Sequence, residues 1–294
     1  MASLIDGKKI AKRLTHEVAA DVIDFVEQTG TRPTLAVVLL GDDPASCVYV
    51  ARKLAACREI GITSVEHRLP STTSQFGLFS LIDQLNSDPA VHGILVQLPL
   101  PHGLDPSTIL DRIDPRKDVD GFHPVNFGRL SSGTDALVPC TPLGCMMLLE
   151  SVVHNFKGLH AVVIGKSNIV GKPISLLLLE RACTVTITHK LTRNLPDITR
   201  SAEIVVVAAG HPELVKGNWI KANAVVVDVG ISRVSGPDGR PRLVGDCARQ
   251  ELSHARAITP VPGGVGPMTV ACLLANTVRA ALKQHRAQPT LRRA

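Results

Sequence analysis

The sequence predicts an α/β protein of two domains, and three observations carry that expectation. Six runs rich in Val, Ile and Leu (34-TLAVVLLG, 91-VHGILVQLP, 160-HAVVIG, 183-CTVTIT, 203-EIVVVAAG and 224-AVVVDVGI) alternate with helical stretches, as buried parallel strands joined by crossover helices do. A length of 294 residues holds two ordinary domains, and 45% apolar composition supplies their cores. Between the second and third runs lies 114-DPRKDVDGFHPVNFGRLSSGTDALVPCTP, poor in periodicity and rich in turn formers. A junction over 121–139 is therefore expected, separating a domain of residues 1–120 from one of residues 140–272.

Helices are expected in order over 6-DGKKIAKRLTHEVAADVIDFVEQ, 44-PASCVYVARKLAACREIG and 73-TSQFGLFSLIDQLNSD, then over 142-PLGCMMLLESVVHNF, 173-PISLLLLERA and 269-TVACLLANTVRAALKQH. Pro44 and Pro173 open two of them, because the fixed φ of proline suits the first helical turn. Neither an internal repeat nor a low-complexity tract interrupts the alternation.

Composition narrows the function. Seven cysteines (Cys47, Cys57, Cys140, Cys145, Cys183, Cys247, Cys272) include no Cys-x-x-Cys, and the odd count argues against a disulfide framework, so reduced packing thiols are expected. Among eleven histidines there is no His-Glu-x-x-His, and no metal site is expected. The net charge of +6, concentrated in the tail 283-KQHRAQPTLRRA, suits anionic small-molecule ligands. Aromatics at 3% are too few for a stacking platform, so no nucleic-acid partner is expected. No apolar run reads as long enough to span a membrane, and MASLIDGKKIAKRL mixes charge with aliphatics; a soluble, cytoplasmic protein without a membrane partner is the expectation.

Two local patterns carry chemistry. Tyr49, the single tyrosine, stands four residues before Lys53 on an expected helix, so ring and ammonium share a face. Alone, that pair more readily describes an aromatic packed at the core edge beside a lysine that snorkels into water. The second pattern is 165-GKSNIVGKP, a glycine-bearing turn from strand to helix, which presents main-chain amides to a phosphate. It departs from the G-x-G-x-x-G fingerprint, with Ser167 and Val170 at two glycine positions and Gly171 following. An NAD site carries an acid about 20 residues later. Here 184-TVTITHKLTRN offers His189, Lys190 and Arg193 instead, which suits a 2′-phosphate or a plain basic turn.

With 97-QLPLP, 117-KDVDGF and 260-PVPGGVGPMT, these make five stretches in one order. Together they resemble the bifunctional methylenetetrahydrofolate dehydrogenase/cyclohydrolase family along essentially the whole chain. The resemblance implies a folate-binding substrate domain completed by the C-terminal helix (273–294), a Rossmann-like NADP domain and a homodimer. It implies NADP-dependent oxidation of methylenetetrahydrofolate, then hydrolysis of the methenyl product to formyltetrahydrofolate, in one-carbon metabolism that feeds purine biosynthesis. Position by position, Lys53 matches the catalytic lysine, Tyr49 the stacking tyrosine, Gln97 the glutamine that bonds the lysine, and Asp120 the carboxylate on the pterin. Leu98, Pro262, Gly263 and Gly264 match substrate contacts, the last three on the wall where substrate and nicotinamide meet. Thr141, Gly165, Lys166, Ser167, Ile169, Val170, His189, Lys190, Gly230 and Ile231 match the NADP contacts. The chain departs from the family in having Lys166 for arginine and Lys190-Leu191 for Ser-Arg; lysine lacks arginine's bidentate fork.

The residues admit other readings. Gln97 and Asp120 could be structural hydrogen-bonders, Asp118 with Asp120 a weak metal pair, and 260-PVPGGVGP a rigid turn. A non-catalytic NADP-binding regulator, or a dehydrogenase without cyclohydrolase activity, are the functional rivals; Lys53, Gln97 and Asp120 occurring together count against both.

Overall fold

The computed structural model describes residues 1–235 and 240–287; the end of the basic tail, beyond residue 287, lies outside the described residues. In chain order the elements are β1 Ser3–Leu4, α1 Gly7–Thr29, β2 Thr34–Leu40, α2 Pro44–Glu59, β3 Thr63–Leu69, α3 Gln75–Ser87, β4 Gly93–Val96, α4 Pro106–Leu110 and α5 Pro124–Ser131. There follow α6 Cys140–Glu150, β5 His160–Ile164, α7 Gly171–Glu180, β6 Thr184–Thr188, α8 Leu195–Arg200, β7 Ile204–Val207, β8 Val225–Asp228, β9 Ser232–Ser235, β10 Pro241–Val244, β11 Ala257–Ile258 and α9 Val265–Ala287.

The chain divides into two compact units: Met1–Lys12 with Pro139–Thr269, and Arg13–Val138 with the chain from Val270 onward. These boundaries differ from the sequence expectation in three places. Residues 1–12 group with the second domain because Ser3 and Leu4 pair in parallel with Ala257 and Ile258. The stretch expected as a junction carries α5 and belongs to the unit that precedes it, held by Asp118 and Asn126. The later boundary falls within α9, between Thr269 and Val270, and not at residue 273.

One unit contains a parallel sheet of three strands in the order β3-β2-β4. Central β2 is covered on both faces, so TLAVVLL has no polar alternation. On one face Ala36, Val38 and Ile94 pack with Leu78 and Ile82 of α3 and with Ile109 of α4. Edge strand β3 reads TSVEHRL and stays partly exposed, which is why no apolar run announced it. Helix starts follow local chemistry: Asp43 accepts the Ser46 amide ahead of Pro44, and Ser74 accepts that of Gly77.

The other unit contains a parallel sheet of six strands in the order β1-β11-β8-β7-β5-β6, beside an antiparallel β9–β10 pair. After β5 the chain adds β6 on one side and returns to place β7 on the other, so strand order reverses at β5. In such sheets the crevice beyond the strands' carboxyl ends at that reversal receives ligands. Val162, Ile164, Val205, Val207 and Val226 form the apolar centre under these ends.

Helix α9 is long and apolar enough to cross a membrane by length and composition, contrary to the sequence reading. Met268, Cys272, Leu273 and Leu274 are fully buried, however, and it serves as a core helix of this fold.

Candidate active site and dinucleotide site

In the three-stranded unit, helix α2 and the carboxyl end of β4 bring together residues far apart in sequence. Lys53, 8% exposed, donates from Nζ to Gln97 Oε1 at 3.1 Å. Gln97 is aimed by two bonds of its own: its amide donates to Val38 O at 2.9 Å and its Nε2 to Leu98 O at 2.6 Å. Tyr49, one turn before Lys53 on α2, is 41% exposed. It is therefore not the buried core-edge aromatic that the pair alone would allow.

Asp118 and Asp120 have opposite duties. Asp118 is buried and accepts the amides of Gly121 (3.1 Å), Phe122 (3.1 Å) and His123 (2.8 Å) and Nδ2 of Asn126 (2.9 Å). Its lone pairs are consumed in shaping the loop, which argues against a metal pair with Asp120. The half-buried Asp120 carboxylate takes no hydrogen bond among the described residues. Burial pushes its carboxyl above the usual range, the Lys53 ammonium pulls it down, and the Asp118 charge pushes it up again. A half-buried acceptor beside an ammonium, with free lone pairs, is ready for the N–H edge of a ligand.

The phosphate loop of the six-stranded unit follows β5. Gly165 has φ 126°, and a side chain on it would collide with the carbonyl of Ala208; one on Gly171 would collide with the carbonyl of Gly165. Gly171 thus performs the close helix–strand packing of the fingerprint's last glycine, displaced by one position. Ser167 Oγ accepts the amides of Val170 (3.2 Å) and Gly171 (3.3 Å), which ties the loop to the start of α7. The amides of Lys166, Ser167, Asn168 and Ile169 have no acceptor among the described residues. Lys166 and Lys190 are exposed, and neither ammonium forms an ion pair or hydrogen bond among the described residues.

Free amides, glycines that admit a close approach and two uncommitted cations fit the phosphates of a dinucleotide. His189 is fixed by Thr192 Oγ1, which accepts its amide at 2.9 Å, while its Nδ1 accepts the Leu191 amide at 3.2 Å. Gly230 is buried and Ile231 exposed beyond β8, and Thr141 Oγ1 lies 3.1 Å from Thr269 Oγ1. Pro262, Gly263 and Gly264 belong to this same unit; Gly264 packs so tightly on Gly7 that a side chain there would strike its carbonyl. The structure thus joins Lys53, Gln97, Leu98 and Asp120 in one unit and puts the expected cofactor residues in the other.

Comparison with known proteins decides the family. A model of the tetrahydrofolate dehydrogenase/cyclohydrolase catalytic domain matches residues 5–120, and that of its NAD(P)-binding domain matches residues 139–285. The chain belongs to the tetrahydrofolate dehydrogenase/cyclohydrolase family. It is 65% identical to bifunctional protein FolD 1 of Rhizorhabdus wittichii over 97% of this chain and 96% of that protein. To bifunctional protein FolD of Sphingobium chlorophenolicum it is 59% identical, over 97% of this chain and 90% of the other. The solved structure of the bifunctional enzyme from Campylobacter jejuni superposes with a TM-score of 0.92 at 44% identity, covering 96% of this chain and 99% of that one. That of the Trypanosoma brucei member of the family, complexed with NADP cofactor and inhibitor, gives a TM-score of 0.92 at 40% identity, covering 97% and 99%.

Sequence reading missed two residues of the dinucleotide unit, Asp228 and Asp246, both buried beside the loops just described. A signal existed for the first: an acid closing the apolar run 224-AVVVDVGI marks a buried carboxylate. Nothing around Asp246 in 243-LVGDCA sets it apart.

Proposed function

We infer that this member of the tetrahydrofolate dehydrogenase/cyclohydrolase family oxidises methylenetetrahydrofolate with NADP and hydrolyses the methenyl product to formyltetrahydrofolate. The observation that carries the reading is the hydrogen bond from the buried Lys53 to the half-buried Gln97, beside the unbonded Asp120 carboxylate. Bound NADP supplies the hydride acceptor at its nicotinamide. Lys166, Lys190 and the free amides of residues 166–169 would hold its phosphates, with Thr141, Gly165, Ser167, Ile169, Val170, His189, Gly230 and Ile231 around it. Pro262, Gly263 and Gly264, which the resemblance matches to substrate contacts, belong to the cofactor unit.

Asp120 accepts from the pterin's amino and ring N–H groups, and Tyr49 stacks on the folate. Oxidation leaves a cation shared by two flanking nitrogens and requires no proton from the protein, so these two residues contribute position. Ring opening differs: water adds to the methenyl carbon, and protons must leave the water and reach the departing nitrogen. Lys53 carries them, oriented by Gln97, whose side-chain Nε2 donates to Leu98 O.

The reading extends to a cytoplasmic homodimer serving one-carbon metabolism and purine biosynthesis. Light scattering at the outlet of a sizing column tests the dimer. The activity is tested by mixing the purified protein with methylenetetrahydrofolate and NADP and following methenyl absorbance. It should rise and then decay faster than the spontaneous rate. Absence of the rise sinks the dehydrogenase, and decay at the spontaneous rate sinks the cyclohydrolase.

A further inference from the structure

Asp228 and Asp246 take no part in the chemistry above, yet both are buried at the end of the sheet that borders the cofactor loops; Asp246 is 0% exposed. Two neighbouring acids are removed from water at a cost unless hydrogen bonds replace it. The replacements are main-chain amides. Asp246 Oδ2 accepts those of Ala209 (2.7 Å) and Gly210 (2.8 Å). Asp228 Oδ1 accepts those of Gly230 (3.0 Å) and Asp246 (2.9 Å), and its Oδ2 that of Cys247 at 2.8 Å.

Two glycines permit the arrangement: a side chain on Gly230 would strike the Asp246 carboxylate, and one on Gly245 the Asp228 carboxylate. The bonds connect two particular loops. Ala209 and Gly210 follow Ala208, whose carbonyl lies against Gly165 at the head of the phosphate loop, on the strand where sheet order reverses. Gly230 lies in the loop after β8.

Asp246 Oδ1 meanwhile is buried without a partner among the described residues. A side chain present only to fill space would not leave an oxygen in that condition. The benefit visible against this cost is the grip of its other oxygen on Ala209 and Gly210. Burial raises both carboxyls, Asp228 to about 6, while the amide bonds act the other way.

We propose that Asp246 is a positioning residue for dinucleotide binding: it holds the loop 208–210 in the shape that meets the cofactor, and Asp228 locks the loop 229–231 beside it. The inference rests on the NADP reading above.

Calorimetric titration of NADP into the wild type and into Asp246→Ala, Asp246→Ser and Asp246→Asn tests it. Hydrolysis of methenyltetrahydrofolate reports on the other unit, which holds Lys53, Gln97 and Asp120, and the urea midpoint, expected to stay near the wild-type value, reports on the unit that holds Asp246. Asp246→Ala and Asp246→Ser, which lose two charge-assisted bonds, should weaken NADP binding about tenfold or more while hydrolysis continues at the wild-type rate. Asp246→Asn keeps an acceptor oxygen for both amides and should retain wild-type affinity. Unchanged affinity in the alanine and serine variants overturns the proposal. Joint loss of NADP binding and hydrolysis in both overturns it as well, since Asp246 would then hold the fold and not the loop. A wild type that does not bind NADP at all would instead remove the cofactor reading, and this proposal with it.

Discussion

Replacing Lys53 by methionine separates the two activities at one atom. Methionine is unbranched, apolar and of nearly the same length as the lysine stem, with Sδ in place of Cδ, so the apolar packing of a side chain that is 8% exposed survives while the ammonium is lost. Its charge-assisted hydrogen bond to Gln97 Oε1 contributes about 1.5–3 kcal/mol, less than the roughly 5–15 kcal/mol by which folded proteins are stable, so the variant should fold. Loss of a positioned proton carrier slows a reaction by roughly 10²–10⁴-fold, and cyclohydrolase turnover should fall by about a hundredfold at least. Hydride transfer, which moves no protein proton, should remain measurable.

A second effect comes through Asp120. With the lysine charge gone, burial and the Asp118 charge both push its carboxyl up with nothing opposing them. The protonated form spreads to higher pH, and the KM for methylenetetrahydrofolate in the variant should climb more steeply as pH falls than in the wild type. Two assays suffice: methenyl decay at fixed pH, and initial dehydrogenase rates against folate concentration across pH 5.5–8.5. Hydrolysis of methenyltetrahydrofolate at the wild-type rate by folded Lys53→Met refutes the proton role. A dehydrogenase KM with the wild-type pH profile refutes the coupling to Asp120.

Other perturbations reach the remaining parts. Asp120→Ala removes the charge-assisted acceptor for the pterin and should cost about 1.5–3 kcal/mol of folate affinity, impairing both reactions, while calorimetry shows NADP binding unaltered. Lys190→Ala should raise the KM for NADP but not for NAD, and the wild-type preference for NADP, about tenfold or more, should shrink as salt is added; equal weakening towards both cofactors removes Lys190 from the 2′-phosphate. Asp228, whose carboxyl is raised to about 6, favours the folded state most when protonated: its contribution is complete below the ordinary carboxylate pKa of about 4 and is lost as pH rises through 6. The stability of the wild type minus that of Asp228→Asn, from urea midpoints, should therefore decline between pH 4 and 7 and then level off, whereas a difference constant with pH contradicts the burial of an ionising group.

Local periodicity and turn chemistry made much of the fold legible. TLAVVLL, HAVVI, IVVV and VVVD announced themselves because strands covered on both faces need no polar alternation, and Pro44 marked a helix start, whereas α7 begins at Gly171, two residues before the Pro173 expected to open it. The spacing of Tyr49 and Lys53 on one helix was likewise a local matter. What escaped lacked a local signature. Strand β3 is polar because it lies at a sheet edge, and β1 and β11 are two-residue strands that exist only through their pairing with each other and with β8. That pairing also moved residues 1–12 out of the domain that follows them.

The candidate site divides in the same way. The glycine-bearing turn 165–171 was legible as a local pattern, and residue types and their order pointed to Lys53, Gln97 and Asp120 through resemblance, but no spacing predicts that Gln97 Oε1 meets Lys53 Nζ. Nor does any spacing distinguish Asp118, saturated by three amides and Asn126, from Asp120, which has none of these bonds. Asp246 is the extreme case, an ordinary acid in LVGDCA that becomes a buried anchor only when β7 and β8 lie side by side. Secondary-structure preference is set by neighbours within a few residues along the chain, whereas burial, charge pairing and hydrogen-bond saturation are set by neighbours in space. Tertiary structure alone decides which carboxylates are occupied and which remain open to a ligand.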